Sequence, residues 1–436
     1  MSRADLIGLA GIAAMLVLLL LRMPIGTAML LVGIVGFAAL NGIPAAIAAL
    51  GTYPYQYAAV YDLAVIPLFV LMGNCASASG MGRDLFTAAY AWFGHWRGGL
   101  ASATVAACAG FAAVSGSSVA SAITMGKVCL PEMRRYNYDH RLATGTIAAG
   151  GTLGILIPPS TAFVIYGILT EQSIGRLLLA GILPGLLLTS LFMATIAIWM
   201  RFKPHYGPRG PRHTLPERMR ATGQAGPMMT VVLISIGGIY AGIFTESEAA
   251  AVGGFLSLLY AWWKKSLGGG ALPGILIETV RTTAMVFLIL IGAQVFGPFL
   301  ALSGLPEHIA GLLAGLDVPR VVVLILILGV YLLLGTFLEG FSMLVLTLPI
   351  VIPIMNTLGY DLIWFGVIMV IVLEMGLIDP PVGINVFVVK GLVPDVPMSE
   401  IFVGILPFWL AMMVGIAILI IFPEIALVIP NSMIGK

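Results

Sequence analysis

Two stretches of the chain set a proline pair inside an apolar run: GTLGILIPPSTAFVIYG at residues 151–167 and MGLIDPPVGINVFVVKG at residues 375–391. Proline has no N–H, and its ring clashes with the carbonyl four residues back. Pro158 and Pro159 thus leave the carbonyls of Gly154 and Ile155 without helical partners; Pro380 and Pro381 do the same to Gly376 and Leu377. Free carbonyl oxygens with hydroxyls nearby suit a hard cation. Each break also starts a new helix, at about Ser160 and about Gly383, and the bare N–H groups of a helix start favour an anion.

Two more interruptions carry small or polar residues, SGSSVAS at 115–121 and GTFLEG at 335–340. Non-helical backbone at membrane depth is tolerated only where protein or water covers it. Each therefore reads as the tip of a re-entrant hairpin, whose returning arm near Ser118 or Gly340 supplies a further helix start. Four helix ends then converge, which is the build expected of a secondary transporter with a midplane site. Candidate anion ligands are Ser117, Ser118, Ser160, Thr161, Gly340 and Asn385. Candidate cation ligands are Ser115, Gly154, Ile157 and Pro159 in the first half, and Gly335, Thr336, Glu339, Gly376 and Asp379 in the second. Asp379 ranks first among these because it adjoins the break, and Glu339 second. A carboxylate inside a bilayer costs about 2.5–3.5 kcal/mol or more, so Glu374 also invites a role, as a partner of a polar neighbour or of water. Blander readings compete: a simple kink for the prolines, packing for the serines, Ser121 above all, and an interhelical hydrogen bond for Asn385.

The elements that position these residues follow from composition. Of 436 residues, 60% are hydrophobic and 9% charged, with a mean hydropathy of +1.08; soluble domains carry about 25% charged residues. The fold class is an all-α polytopic membrane protein. Apolar runs at 6–21, 25–40, 65–78, 177–200, 228–244, 249–263, 284–302, 321–334, 362–374 and 401–422 read as whole or partial spans, and their continuity excludes a β-barrel. No cleavage site follows the first, which therefore reads as a retained helix. Cys75, Cys108 and Cys129 lack CxxC spacing and read as packing residues. His95 and His140 fall near ends or loops, Trp92, Trp96, Trp262 and Trp263 read as interfacial anchors, and residues 84–93 as an amphipathic surface helix.

Charge placement sets orientation. The segment 201–220 holds Arg201, Lys203, Arg209, Arg212, Arg218 and Arg220, and such loops stay in the cytoplasm. With it inside, Arg22, Arg83, Arg97, Arg134, Arg135, Arg141, Lys264 and Lys265 also fall inside, provided that 98–125 and 321–355 enter and return on one side. Both termini then face the exterior. A shift of 380 − 158 = 222 residues maps one proline pair onto the other, Tyr138-Asp139 onto Tyr360-Asp361, Pro131 onto Pro353, and Ser115 onto Phe337. Shifts of 223 and 224 map GILP at 181–184 onto 404–407, and Ser79-Gly80 onto Ser303-Gly304. These agreements predict inverted repeats: 1–200 with a hairpin at about 98–130 and a broken helix at about 141–170, a basic cytoplasmic linker at 201–225, and 226–436 with a hairpin at about 318–356 and a broken helix at about 361–391.

SGSSVASA, MRRYNYDHRLATGTIAAGGTLGILIPPS and GLIDPPVGINVFV, with RMPIGTAMLLVG at 22–33 and IPLFVLMGN at 66–74, resemble the large membrane (M) subunit of TRAP (tripartite ATP-independent periplasmic) transporters. The likeness covers nearly the whole chain. It implies an elevator-type importer of small organic anions in the bacterial inner membrane. It names sodium as the cation, placed on the tips and breaks above. It also implies two partners, a small four-helix membrane subunit and a periplasmic substrate-binding protein. The start MSRADLIG carries no fused small subunit, so a separate one is expected. Rivals are a stand-alone carboxylate transporter, an intramembrane serine enzyme at Gly116–Ser118, for which no base is placed at that depth, and a channel.

Overall fold

A computed structural model describes residues 2–433 except 269, 315–317, 337, 381 and 382. Pro381 and Phe337, singled out above, lie outside the described residues. Among the described residues every regular element is helical. The first half runs through α1 (Arg3–Leu20), α2 (Ile25–Asn41), α3 (Ile43–Ala58), α4 (Val65–Ala78), α5 (Met81–Phe93), α6 (Gly99–Ser115), α7 (Ser118–Arg135), α8 (His140–Leu156), α9 (Thr161–Thr170), α10 (Ile174–Ala180) and α11 (Ile182–Phe202). The second comprises α12 (Leu215–Tyr240), α13 (Glu246–Trp263), α14 (Ala271–Ser303), α15 (Leu305–Ala314), α16 (Arg320–Gly335), α17 (Gly340–Thr357), α18 (Leu362–Gly376), α19 (Ile384–Leu392), α20 (Met398–Ile421) and α21 (Glu424–Asn431). By length and apolarity, seven spans qualify among the described residues, or eight when α8 and α9, bent by 41° at their break, count as one.

Local signals explain where the central helices start. Asp139 caps α8 through the Arg141 N–H, and Asp361 caps α18 through the N–H groups of Ile363 and Trp364. Side-chain oxygens at these positions satisfy donors that a helix start otherwise leaves unpaired. Ser117 caps α7 and Glu339 caps α17, and 339 − 117 is again 222. α6 to α9 therefore recur in order as α16 to α19. α6 and α7 pack side by side, as do α16 and α17; α7 also packs on α19, and α17 on α9. α6, α7, α16 and α17 are 16 to 18 residues long, and of these four only α17 is among the seven qualifying spans.

Three elements differ from the sequence reading. The span read at 177–200 is one span of Ile174–Phe202 with an interruption the sequence reading lacked: α10 ends at Ala180 and α11 begins at Ile182, with Pro184 in its first turn, where no intrahelical N–H is required. Residues 215–225, read as linker, are the first turns of α12, started by a Thr214–Glu217 capping box with Pro216 behind it. α14 begins thirteen residues before the apolar run 284–302, carrying Glu278 and Arg281 within its length. In the first two cases a capping or proline signal outweighed hydropathy; in the third, charged residues masked a continuing helix.

α2 lies along α14, α4 along α13 and α14, and α1 and α3 along α2. α8 packs against α6, α7 and α20, and α18 against α16 and α17. The three cysteines are free and buried. The helix α5 buries Leu85, Phe86, Ala88 and Ala89 and exposes Arg83 and Thr87, the two-faced pattern read at 84–93.

Candidate functional site

The first junction joins the α6–α7 tip to the α8–α9 break. Gly116 sits at φ +60 in the tip, a left-handed conformation that suits glycine. The Thr161 hydroxyl donates to the Gly116 carbonyl at 3.0 Å, and the Ser115 hydroxyl to the Ser117 carbonyl at 3.2 Å. Ser160 is buried and accepts from the Phe163 N–H at 3.3 Å, capping α9. Gly154 lies flat on the tip: a Cβ there would stand 2.6 Å from the Ser117 carbonyl oxygen and 2.7 Å from Ser121 Oγ. Pro159 is joined to Pro158 by a cis peptide bond, and its carbonyl faces Gly116. Ile157 caps α8 with extended backbone, and its side chain packs on Gly185.

The second junction repeats the plan with different side chains. Gly335, ending α16, abuts Gly376, ending α18; a Cβ on Gly376 would stand 2.8 Å from Gly335 Cα. Glu339 caps α17, accepting from Ser342 N at 3.3 Å and Ser342 Oγ at 3.1 Å. Gly340 lies against Leu373, and Thr336 turns its hydroxyl back to the Leu333 carbonyl at 2.7 Å. Here the structure corrects one expectation. The Leu377 carbonyl is not free but accepts the Asn385 backbone N–H at 3.0 Å, tying the new helix to the end of the old, and the Gly376 carbonyl receives a long 3.4 Å bond from Asp379 N.

Between the junctions lies a cavity of about 430 Å³. Ser115, Ser117 and Ser118 reach it from the first tip, Thr161 from the first break, Glu339 and Phe341 from the second tip, and Leu377 and Ile384 from the second break. Asn74 and Ser77 of α4 and Glu278 and Thr282 of α14 close the opposite wall. Four helix ends therefore meet around one space. Asp379, the first-ranked cation ligand, is not in its wall, although Leu377 is; it lies past the end of α18, in the break itself. Gly154, Ile157, Pro159, Ser160, Gly335, Thr336, Gly340, Gly376 and Asn385 sit at the junctions rather than on the cavity wall. Asn385 is fully buried, with both side-chain amide atoms lacking a protein partner among the described residues.

Two features went unassigned in the sequence. Ser118 donates to Glu374 Oε1 at 2.5 Å, a buried contact between the first tip and the second broken helix, and Glu374 Oε2 has no protein partner among the described residues. The buried carboxylate was visible as a polar residue in an apolar run; its partner, 256 positions away, was not. Asn74 donates to Thr279 Oγ1 at 3.0 Å between α4 and α14, and the neighbouring Glu278 had been hidden by the truncated reading of α14.

The chain is an all-helical membrane protein in which helix ends meet around one cavity, and solved membrane transporters share this fold. The chain superposes on the Alcanivorax borkumensis YdaH transporter with a TM-score of 0.62 at 17% identity, covering 87% of this chain and 90% of that one. It also superposes on Neisseria gonorrhoeae MtrF, with a TM-score of 0.56 at 13% identity and coverage of 88% and 85%. These likenesses concern the fold. Residues 12–425 match the family model described as the tripartite ATP-independent periplasmic transporter, DctM component, and the chain belongs to that family of large TRAP permease subunits. Similar proteins include the C4-dicarboxylate TRAP transporter large permease of Pseudomonas aeruginosa, 37% identical over 85% of this chain and 86% of that one. The sialic acid TRAP large permease of Vibrio cholerae is 34% identical, covering 86% and 87%. The isethionate TRAP permease DctMQ of Oleidesulfovibrio alaskensis is 34% identical over 88% of this chain and 61% of that longer protein. The family is one of multi-pass membrane permeases, not enzymes.

Proposed function

We propose that this chain is the translocating subunit of a sodium-driven importer of small organic anions in the bacterial inner membrane, fed by a periplasmic binding protein and completed by a small membrane subunit. The observation that carries the reading is the shared cavity: two tips and two breaks bring helix starts and hydroxyls around one space. Sodium is the assigned cation. Ser115, Gly154, Ile157 and Pro159 would hold it at one junction, and Gly335, Thr336, Glu339 and Gly376 at the other, with Asp379 at the rim of the second. Ser117, Ser118, Ser160, Thr161, Gly340 and Asn385 would orient the anion. The relatives' names speak of C4-dicarboxylate, sialic acid and isethionate, all organic acids, which supports an anionic cargo. The fused name DctMQ on a longer relative supports a small-subunit partner.

The two halves are inverted repeats in this reading. The exchange of contacts, α7 on α19 and α17 on α9, is what a two-fold relation between halves produces. The hairpins and broken helices move as one unit past a scaffold of α1–α4 and α12–α14. The chain termini lie on the periplasmic side, following the positive-inside rule. Sodium bound at the junctions fixes the tips and so raises affinity for the anion, and the anion must tighten sodium binding by the same factor. The test is uptake of a radiolabelled C4-dicarboxylate, sialic acid or isethionate by the reconstituted complex. Accumulation driven by an inward sodium gradient and dependent on the binding protein is expected. Uptake indifferent to sodium contradicts the coupling, and uptake without a binding protein favours a stand-alone transporter.

A further inference from the structure

Beside the central cavity lies a second one, of about 540 Å³, between the α4–α5 turn, α7 and the end of α13. The two cavities share Ser77, Ile123 and Thr124 in their walls. At that common wall the Ser77 and Thr124 hydroxyls bond to one another at 2.9 Å, linking α4 to α7. Along α7, Ala120 and Thr124 line the first cavity, and Thr124 and Lys127 the second. Positions separated by four and then three residues fall on one helix face, so a single stripe of α7 runs from one space to the other.

The second cavity is basic. Arg83, Lys127 and Lys264 line it against one carboxylate, Asp84, giving 3 − 1 = +2. Lys264 Nζ already engages Asp84 at 3.3 Å, with the Tyr260 hydroxyl also donating to that carboxylate at 3.1 Å. Among the described residues Arg83 and Lys127 form no ion pair, and both are exposed at the mouth. A low-dielectric cleft lined by one sign of charge concentrates counter-ions. Exposed cations bind such an ion only weakly, which suits passage rather than capture.

Building on the proposed transport of organic anions, we propose that this cavity is an anion station on the release path: Lys127 and Arg83 receive the acid group of the cargo as it leaves the central cavity, and the Ser77–Thr124 hydrogen bond is the closure that parts to let it through. The positive-inside rule places the station at the cytoplasmic face. It recognises a carboxylate or sulfonate by the charge of Lys127 and Arg83, beside the Ser79 hydroxyl and the start of α5 in the same wall.

The test measures the local potential and access without any transport. Thr124→Cys and, separately, Val128→Cys, the latter outside the Ser77–Thr124 bond, are placed in the full chain in nanodiscs of zwitterionic lipid. The three native cysteines are buried. Reaction rates with anionic (sulfonatoethyl) and cationic (trimethylammonioethyl) methanethiosulfonates are each normalised to their rates with 2-mercaptoethanol. A normalised anion-to-cation ratio of about seven or more is expected, the effect of about one kT acting with opposite sign on the two reagents. The ratio is expected to fall toward one in Lys127→Gln/Arg83→Gln, and also in about 1 M salt, where the screening length is about 3 Å. A ratio of one or less in the unneutralised protein, or no reaction at either position, overturns the proposal. So does loss of anionic labelling when anionic lipid is added, which would assign the basic pair to lipid headgroups. None of these outcomes bears on sodium-driven uptake, which is measured separately.

Discussion

The two junctions share a backbone plan and differ in chemistry. Gly154 and Gly376, 222 positions apart, are the points at which each broken helix lies flat on a hairpin tip. The caps of the returning arms, Ser117 and Glu339, hold the same spacing. Yet the first junction is stitched by neutral hydroxyls, Ser115, Ser117, Ser160 and Thr161, whereas the second carries Glu339 at its cap and Asp379 at its break. The repeated element is therefore the interruption of the helix, which exposes main-chain groups; the side chains then divide the work. In the proposed sodium reading, the first junction would offer hydroxyl and carbonyl oxygens and the second would add carboxyl groups. The Ser118–Glu374 bond joins them.

The largest expected effect tests the shared plan. Gly154→Val and Gly376→Val each force a side chain into space held by the opposing tip. Overpacking of this kind costs about 1–3 kcal/mol, so sodium-driven uptake should fall about tenfold or more in both, measured in proteoliposomes at matched protein content. Normal uptake in either variant would break the equivalence of the junctions. The next effect separates them. Glu339→Gln should raise the sodium concentration for half-maximal uptake about tenfold, and Ser117→Ala only about threefold, since losing a neutral cap costs about 0.5–2 kcal/mol. Equal shifts would mean that the carboxylate adds nothing.

A smaller effect probes the link. Ser118→Ala removes the donor to a buried carboxyl, a loss of about 1–3 kcal/mol that should lower the melting temperature of the purified protein, with Ser118→Thr retaining most of it. Unchanged melting would show that the link carries no stability. The smallest concerns the surface. Arg134 reaches Asp395 at 2.5 Å, joining the end of α7 to the loop after α19. The guanidinium holds the Asp395 carboxyl below its ordinary range. A depressed carboxylate contributes its stability at neutral pH and loses it as pH falls through the folded-state value. Asp395→Asn should therefore lower the melting temperature slightly at pH 7 and leave it unchanged in strong acid. An equal loss at both pH values would contradict the pairing.

These junctions also mark how far the sequence alone reaches. Pro158-Pro159, Ser117, Ser160 and the glycines are local signals, because a missing N–H, a capping oxygen or an absent Cβ acts within one turn of chain. The starts of α7, α9, α17 and α19 fall where those signals put them. What the sequence could not carry depends on packing between distant segments: the Ser118–Glu374 bond, the Asn74–Thr279 bond, and the capture of the Leu377 carbonyl by Asn385. Asp379 shows the same boundary. Its place beside Pro380 was evident, but whether it reached the cavity depended on the path of the non-helical break after Gly376, which no helical period describes.

The central claim is that both junctions bind sodium. Backbone hydrogen–deuterium exchange of the purified protein, in sodium and then in potassium at equal ionic strength, tests it most directly. Sodium should slow exchange in two places at once, residues 115–121 with 154–163 and residues 335–343 with 376–387, while potassium leaves them unchanged. Protection confined to one junction, or spread over the scaffold helices α1–α4 and α12–α14, would contradict the account.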